Sequence, residues 1–228
     1  MRKIVDLTLP IFTGLPKVPG TDRTIRVEPD MTFDTPYKRN TSRLFFHSHM
    51  CSTHIDAPKH ALIDGFGIDK YSLEKHLTGE AYMLDFRHVP PGYRITIDDF
   101  KQAVEKTGKP FPRGCMLGIN TAWTDRSWGK PEFFDQMISL ATPGVGDWLA
   151  EQGPKAIMFD CYNDSWEGFM TADCFFNHKP LLRNEIPLIE FCCNMGELHG
   201  GKWEIFALPL KIVDCDGSPA RVIAVARD

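Results

Sequence analysis

Three side chains close together, His54, Asp56 and His60, are the part of this 228-residue chain best equipped for chemistry. They fall in Ser52-Thr53-His54-Ile55-Asp56-Ala57-Pro58-Lys59-His60, entered from Leu44 to Met50, a run that reads as a strand. Residues two apart in an extended segment share a face, so the His54 imidazole and the Asp56 carboxylate converge. Such a pair suits a borderline or hard divalent cation, zinc or manganese. His60, beyond the stiff Ala57-Pro58 step, can approach the same point from outside the coordination sphere, where a general acid or base belongs. An isolated His-x-Asp is common by chance, so the weight rests on the whole string.

A cation needs more than two protein donors, and the later chain offers His178 and Glu190. His178 immediately precedes a helix start at Lys179-Pro180. Glu190 sits among apolar neighbours in Ile186-Pro187-Leu188-Ile189-Glu190-Phe191, where an unpaired carboxylate is costly unless a cation or a histidine offsets it. Pairing with an Arg or Lys at a sheet edge is the plainer alternative.

The central string resembles H-x-G-T-H-x-D-x-P-x-H, the signature of the cyclase family of metal-dependent hydrolases, which includes bacterial kynurenine formamidase and isatin hydrolase. Further similarity runs through His178-Lys179-Pro180-Leu181-Leu182, Ile189-Glu190, Phe206 to Ile212 and Asp216-Gly217-Ser218-Pro219-Ala220-Arg221, and with Asp6-Leu7-Thr8 it spans nearly the whole chain. The resemblance implies a centre of one or two divalent metal ions, Zn or Mn, with His54 and Asp56 on the first ion. Asp56, His178 and Glu190 would hold the second, and His60 would be the catalytic acid or base. It also implies a homo-oligomer, and a hydrolase of a small amide, cyclic amide or lactone.

The pattern is broken at its start, where Met50 and Ser52 replace the family's first histidine and its glycine. Methionine sulfur is a poor ligand for zinc or manganese. In an unbroken strand, positions 50, 52, 54 and 56 face one side, and His47 and His49 the other, so loss of a donor is the expectation. A β-bulge, a feature found next to active sites, could re-aim His49. A single ion on the second set, an ion with water in the missing place, or no metal at all remain open. The last would make the chain a degenerate relative that binds a small molecule without turning it over.

The elements that must position these groups alternate. Strands are expected at Lys3 to Ile11, Ala81 to Val89, Met116 to Trp123, Ala156 to Tyr162 and Ile186 to Cys193. Helices are expected from Ser72 to His76, from Thr96 to about Gly108, from Val145 to Gln152 and from Leu181 to Asn184. Trp203 to Val213 and Arg221 to Ala226, split by a turn cluster, read as a hairpin. Residues 14–42 read as a long irregular segment, suited to covering a site or reaching a second protomer. With no repeat or linker, residues 1–228 form one mixed-sheet α/β domain with flanking helices, which the resemblance specifies as swivelling β/β/α-like.

A formal charge of −4 and a pI near 6.1 argue against nucleic acid or an anionic membrane as partner, leaving a small-molecule substrate. No apolar run is long enough for a bilayer. Seven scattered cysteines without a C-x-x-C pair read as reduced, mostly buried cytoplasmic thiols. Cys51 and Cys161 lie near polar stretches, where a nucleophile is the minor reading. Trp123, Trp128, Tyr162, Trp166, Phe169, Phe175 and Phe176 fall at or after strand ends and would suit an aromatic, planar substrate, core packing being the plainer account. Asp160 ends a buried strand, as a site residue or a loop anchor. Dinucleotide, P-loop and serine-nucleophile motifs are absent.

Overall fold

Two apolar runs set the architecture, because Met116–Asn120 and Ala156–Phe159 are buried along their whole length. Strands of that kind lie in a sheet covered on both faces. The structure, a computed structural model, describes residues 2–164 and 174–227. In chain order its strands are β1 (Ile4–Asp6), β2 (Arg26–Met31), β3 (Thr41–Phe45), β4 (His54–Asp56), β5 (Thr78–Asp85), β6 (Arg94–Ile95), β7 (Met116–Asn120), β8 (Ser139–Leu140), β9 (Ala156–Phe159), β10 (Leu188–Glu190), β11 (Trp203–Pro209) and β12 (Gly217–Ala226). The helices are α1 (Ile97–Lys106), α2 (Trp123–Ser127), α3 (Glu132–Asp135), α4 (Val145–Gln152) and α5 (His178–Arg183).

The main sheet runs β1-β12-β11-β5-β7-β9-β10-β4, and β4 also pairs with β12. That second pairing closes a 7-strand mixed barrel, with β1 left on its outside. Side chains alternate across the barrel wall. Met116, Ala156, Met158, Ile189, Ile55, Ile205 and Val222 share one apolar cluster, the barrel interior. Leu117, Ile119, Ile157, Phe159 and Leu188 face outward onto Phe100 of α1, Phe133 of α3, Leu149 of α4 and Leu181 and Leu182 of α5. Gly118 makes room inside, since a methyl group there would fall 2.4 Å from Met83 Sδ.

The mixed α/β expectation is therefore met, including the terminal hairpin, whose register runs from Trp203↔Ala226 to Pro209↔Ala220. Two expectations fail. Residues 14–42 are not wholly irregular, for β2 pairs antiparallel with β3 and the two form a separate ribbon. Nor does Leu44 to Met50 form a strand, since β3 ends at Phe45 and a turn follows at Ser48-His49. No helix of the described residues is long and apolar enough to cross a membrane.

Asp160 is an anchor. Its Oδ1 accepts from Thr121 N at 2.8 Å and Thr121 Oγ1 at 2.7 Å, and its Oδ2 from Ala122 N at 2.7 Å. These bonds hold Ala122 in the left-handed region (φ 55°) where the chain leaves β7. Asp160→Asn would turn an amide donor towards one of those donors. The expected loss is about 1–3 kcal/mol in a denaturant titration, with metal content unchanged.

Candidate metal centre

β4 lies between β10 and β12, and because Ile55 points into the barrel, His54 and Asp56 point outward. The register with β10 places Glu190 opposite His54 and Leu188 opposite Asp56. Leu188 faces outward, so Glu190 does too. His178 opens α5, which packs over the same face; the helix begins at this residue rather than after it. All four predicted donor residues are buried. His54 Nε2 lies 3.4 Å from both Asp56 Oδ1 and Glu190 Oε2. His178 Nε2 lies 3.6 Å from Asp56 Oδ2 and 3.4 Å from Glu190 Oε1.

These separations test whether the residues fit a cation. Donors held at about 2.1 Å around one tetrahedral ion stand about 3.4 Å apart. Asp56 Oδ2 and Glu190 Oε1 are buried without a hydrogen-bond partner. The outward nitrogen of each imidazole is taken: His54 Nδ1 donates to Ser52 O at 2.8 Å, and His178 Nδ1 bonds to Asp164. Asp164 is itself fixed by the backbone N–H groups of Asn177 and His178. His178 Nε2 thus faces the two unpartnered carboxylate oxygens, and His54 Nε2 the other oxygen of each carboxylate, at pairwise distances that suit a divalent cation. Without one, protons serve instead. Burial opposes charge on His178, yet the hydrogen bond with Asp164 and the facing Glu190 carboxylate outweigh it and push its pKa up to about 10.

The strand-parity argument around Met50 does not hold, because no unbroken strand links Leu44 to Asp56. Met50 is fully buried in the main apolar core. His49 stands in the site instead, with Nδ1 2.8 Å from Asp56 Oδ1 and Nε2 2.7 Å from Asp216 Oδ2. Arg23 Nη1, from residues 14–42, donates to the His49 carbonyl at 2.8 Å. His47 stays outside, its Nδ1 accepting from His49 N at 3.2 Å.

His60 closes a tight 3-10 turn, Pro58–His60, and stacks on His49 with ring centroids 3.7 Å apart. Its Nδ1 lies 3.8 Å from Asp216 Oδ2. The turn needs Gly65, where a methyl group would fall 2.3 Å from Pro58 C. Burial keeps the His60 pKa below the usual imidazole range. Of the aromatic residues singled out, Phe175 lies 4.5 Å from His178 and 5.0 Å from His60, and Tyr162 lies 6.4 Å from His178, ring to ring. Phe176 is half exposed, Trp123 is core, and Trp128 donates to Cys51 O. Trp166 and Phe169 lie outside the described residues. Cys51 and Cys161 are buried, which disfavours the thiolate: the Cys51 thiol is pushed up to about 12 and that of Cys161 well above its ordinary value.

Sequence reasoning missed Asp164, Asp216 and Phe191. Asp216 belongs in the sequence to a turn cluster and to the family-like run Asp216 to Arg221, with no role at the site assigned to it. Phe191 follows Glu190 with φ 54°, held where its carbonyl accepts from Thr53 Oγ1 at 2.7 Å, and its ring lies 5.7 Å from that of His54. A cleft of about 630 Å³, lined by Asp85, His88, Lys106, His199 and Lys202 among others, contains none of the candidate residues.

The family model named Cyclase matches residues 5–164. The chain belongs to the Cyclase family. It is 30% identical to an uncharacterized protein of Methanocaldococcus jannaschii, over 81% of this chain and 82% of that one. It is 28% identical to a kynurenine formamidase of Erythrobacter litoralis, over 97% of this chain and 93% of the relative. Isatin hydrolase A of Ralstonia solanacearum superposes with a TM-score of 0.85 at 21% identity, over 99% of this chain and 92% of that structure, a likeness of fold. The cyclase pattern of ordered histidines and carboxylates thus coincides with the one place in the described structure where buried carboxylate oxygens lack partners.

A chelator should therefore lower the thermal midpoint, and added Zn or Mn should raise it. Saturation at a hundredfold excess over Kd corresponds to about 2.7 kcal/mol. Glu190→Gln, which keeps the shape and removes the charge, should blunt that rise. A midpoint indifferent to chelator and cation would contradict a metal centre.

Proposed function

We propose that the chain is a metal-dependent hydrolase of C–N bonds in small amides or cyclic amides, extending to lactones. The observation that carries this reading is the pair of unpartnered buried oxygens, Asp56 Oδ2 and Glu190 Oε1, both set against His178 Nε2 at 3.6 and 3.4 Å. His54, Asp56, His178 and Glu190 hold the cation, and their mixed nitrogen and oxygen donors suit zinc or manganese. When bound, such a cation polarises a carbonyl and acidifies water towards neutrality. His60, only partly exposed and largely neutral at pH 7, accepts a proton from the attacking water and returns it to the leaving nitrogen. One water is consumed, and a carboxylic acid and an amine result. Phe175, Phe191 and Tyr162 border the site and favour an aromatic substrate, as the relatives named for kynurenine and isatin also do.

The same reading places the chain in the cytoplasm, where its free cysteines stay reduced, and in a homo-oligomer. The β2–β3 ribbon and its surroundings support assembly, for Phe33, Tyr37 and Leu44 are each at least 60% exposed. Exposed apolar side chains on that arm support a contact with a second copy.

His60→Ala should lower turnover of an aromatic formamide by about 100- to 10,000-fold with metal content unchanged. Binding without turnover in the unaltered, metal-loaded protein would instead identify a non-catalytic small-molecule binder. Leu44→Asp should reduce the mass measured by light scattering to that of one chain; a single-chain mass in the unaltered protein would refute assembly.

A further inference from the structure

We infer that His49 supplies the donor that Met50 cannot, so that this chain holds two cations bridged by Asp56. The inference rests on the metal-dependent reading above and adds a residue to it, one position before the one the family motif assigns. Three independent features of the structure support it.

The first is donor geometry. The ring nitrogens of His49 and His54 and a carboxylate oxygen of Asp56 all lie within 4.8 Å of one another. The His49 Nδ1 to Asp56 Oδ1 distance of 2.8 Å is nearest to the spacing of adjacent donors on an octahedral ion such as Mn²⁺, about 3.0 Å for a metal–donor distance of about 2.1 Å, and shorter than the tetrahedral spacing of about 3.4 Å.

The second is the group behind the ring. A histidine that ligates through one nitrogen is fixed by an acceptor on the other. His178 has Asp164 and His54 has the Ser52 carbonyl, each on Nδ1. His49 has the mirror arrangement, with Asp216 on Nε2, which leaves Nδ1 as the inward donor. Asp216 also accepts from Ser48 Oγ at 3.0 Å, so the turn that carries His49 is latched at two successive residues.

The third is space. A methyl group at Gly217 would fall 2.7 Å from His49 Cε1 and 2.9 Å from Ile55 O, so a residue without a side chain is what lets this ring stand beside β4. Met50, carried the other way by the turn, fills the apolar core. The substitution at position 50 therefore exchanges a ligand for a core residue while the preceding side chain takes the site.

The test uses the full chain stripped with chelator and titrated with Mn²⁺ alone, read by equilibrium dialysis and by electron paramagnetic resonance. The unaltered protein should bind two equivalents and show the exchange-coupled spectrum of neighbouring Mn²⁺ ions. His49→Ala should bind one and lose the coupling, whereas Met50→Ala should still bind two. Asp216→Asn, which leaves the His49 ring in place, should weaken one equivalent by about 10- to 100-fold and serves should His49→Ala not fold. His178→Ala should also lose one equivalent. If His178→Ala loses metal while His49→Ala and Asp216→Asn bind as the unaltered protein does, the assignment of His49 falls and the metal-dependent reading stands. If the unaltered protein takes up no Mn²⁺, both fall.

Discussion

Four carboxylates, Asp56, Asp164, Glu190 and Asp216, crowd four imidazoles, His49, His54, His60 and His178, around one short strand, and the structure around them depends on how that charge is balanced. Isolated charges in a low-dielectric interior cost several kcal/mol each after relaxation. Burial opposes ionisation of Asp56, yet its neighbours His49 and His60 hold its pKa well below the usual carboxylate range. The same field pushes His49 up to about 9, although its own burial works against that charge. Imidazolium protons and divalent cations are thus alternative occupants of one electrostatic well. Two carboxylate oxygens remain unpartnered even so.

The strand that carries His54 and Asp56 is also the one that closes the barrel, by pairing with β10 on one side and β12 on the other. Ile55 between them contributes to the barrel interior. Closure and site are therefore one piece of construction, three residues long. Sequence-distant parts meet here because of it: Glu190 arrives through the register with β10, and Asp216 immediately precedes the first residue of β12. Thr53, at the entry to the strand, bonds both Leu9 N and Phe191 O and ties the site to the first and last parts of the chain that flank it.

How much was legible in the sequence follows from which forces are local. Period-two spacing put His54 and Asp56 on one face, and an apolar context made Glu190 conspicuous; both are properties of a few adjacent residues. The alternation of strands and helices gave the fold class in the same way. The place of His49 could not be read, because parity applies only within a continuous strand and the turn at Ser48-His49 resets it. Asp164 and Asp216 carry no local mark at all. Their roles arise from side chains 14 and 167 residues distant, and a turn-forming aspartate looks alike whether or not an imidazole waits behind it. The ribbon in residues 14–42 was hidden by its prolines, of which Pro29 lies within β2 beside a register shift.

One contact joins the segment before the ribbon to the metal centre. Arg23 reaches from the segment that leads into the exposed ribbon to the backbone carbonyl of His49. If that segment docks against a neighbouring copy, as proposed, the contact would also favour the position of His49, and a cation that draws His49 inward would favour docking. Linkage makes the two effects equal: cation affinity would rise with protein concentration by the factor by which cations tighten association. In such a chain, subunit assembly and cofactor loading would form one cooperative equilibrium, and dilution alone would be a means of releasing the metal.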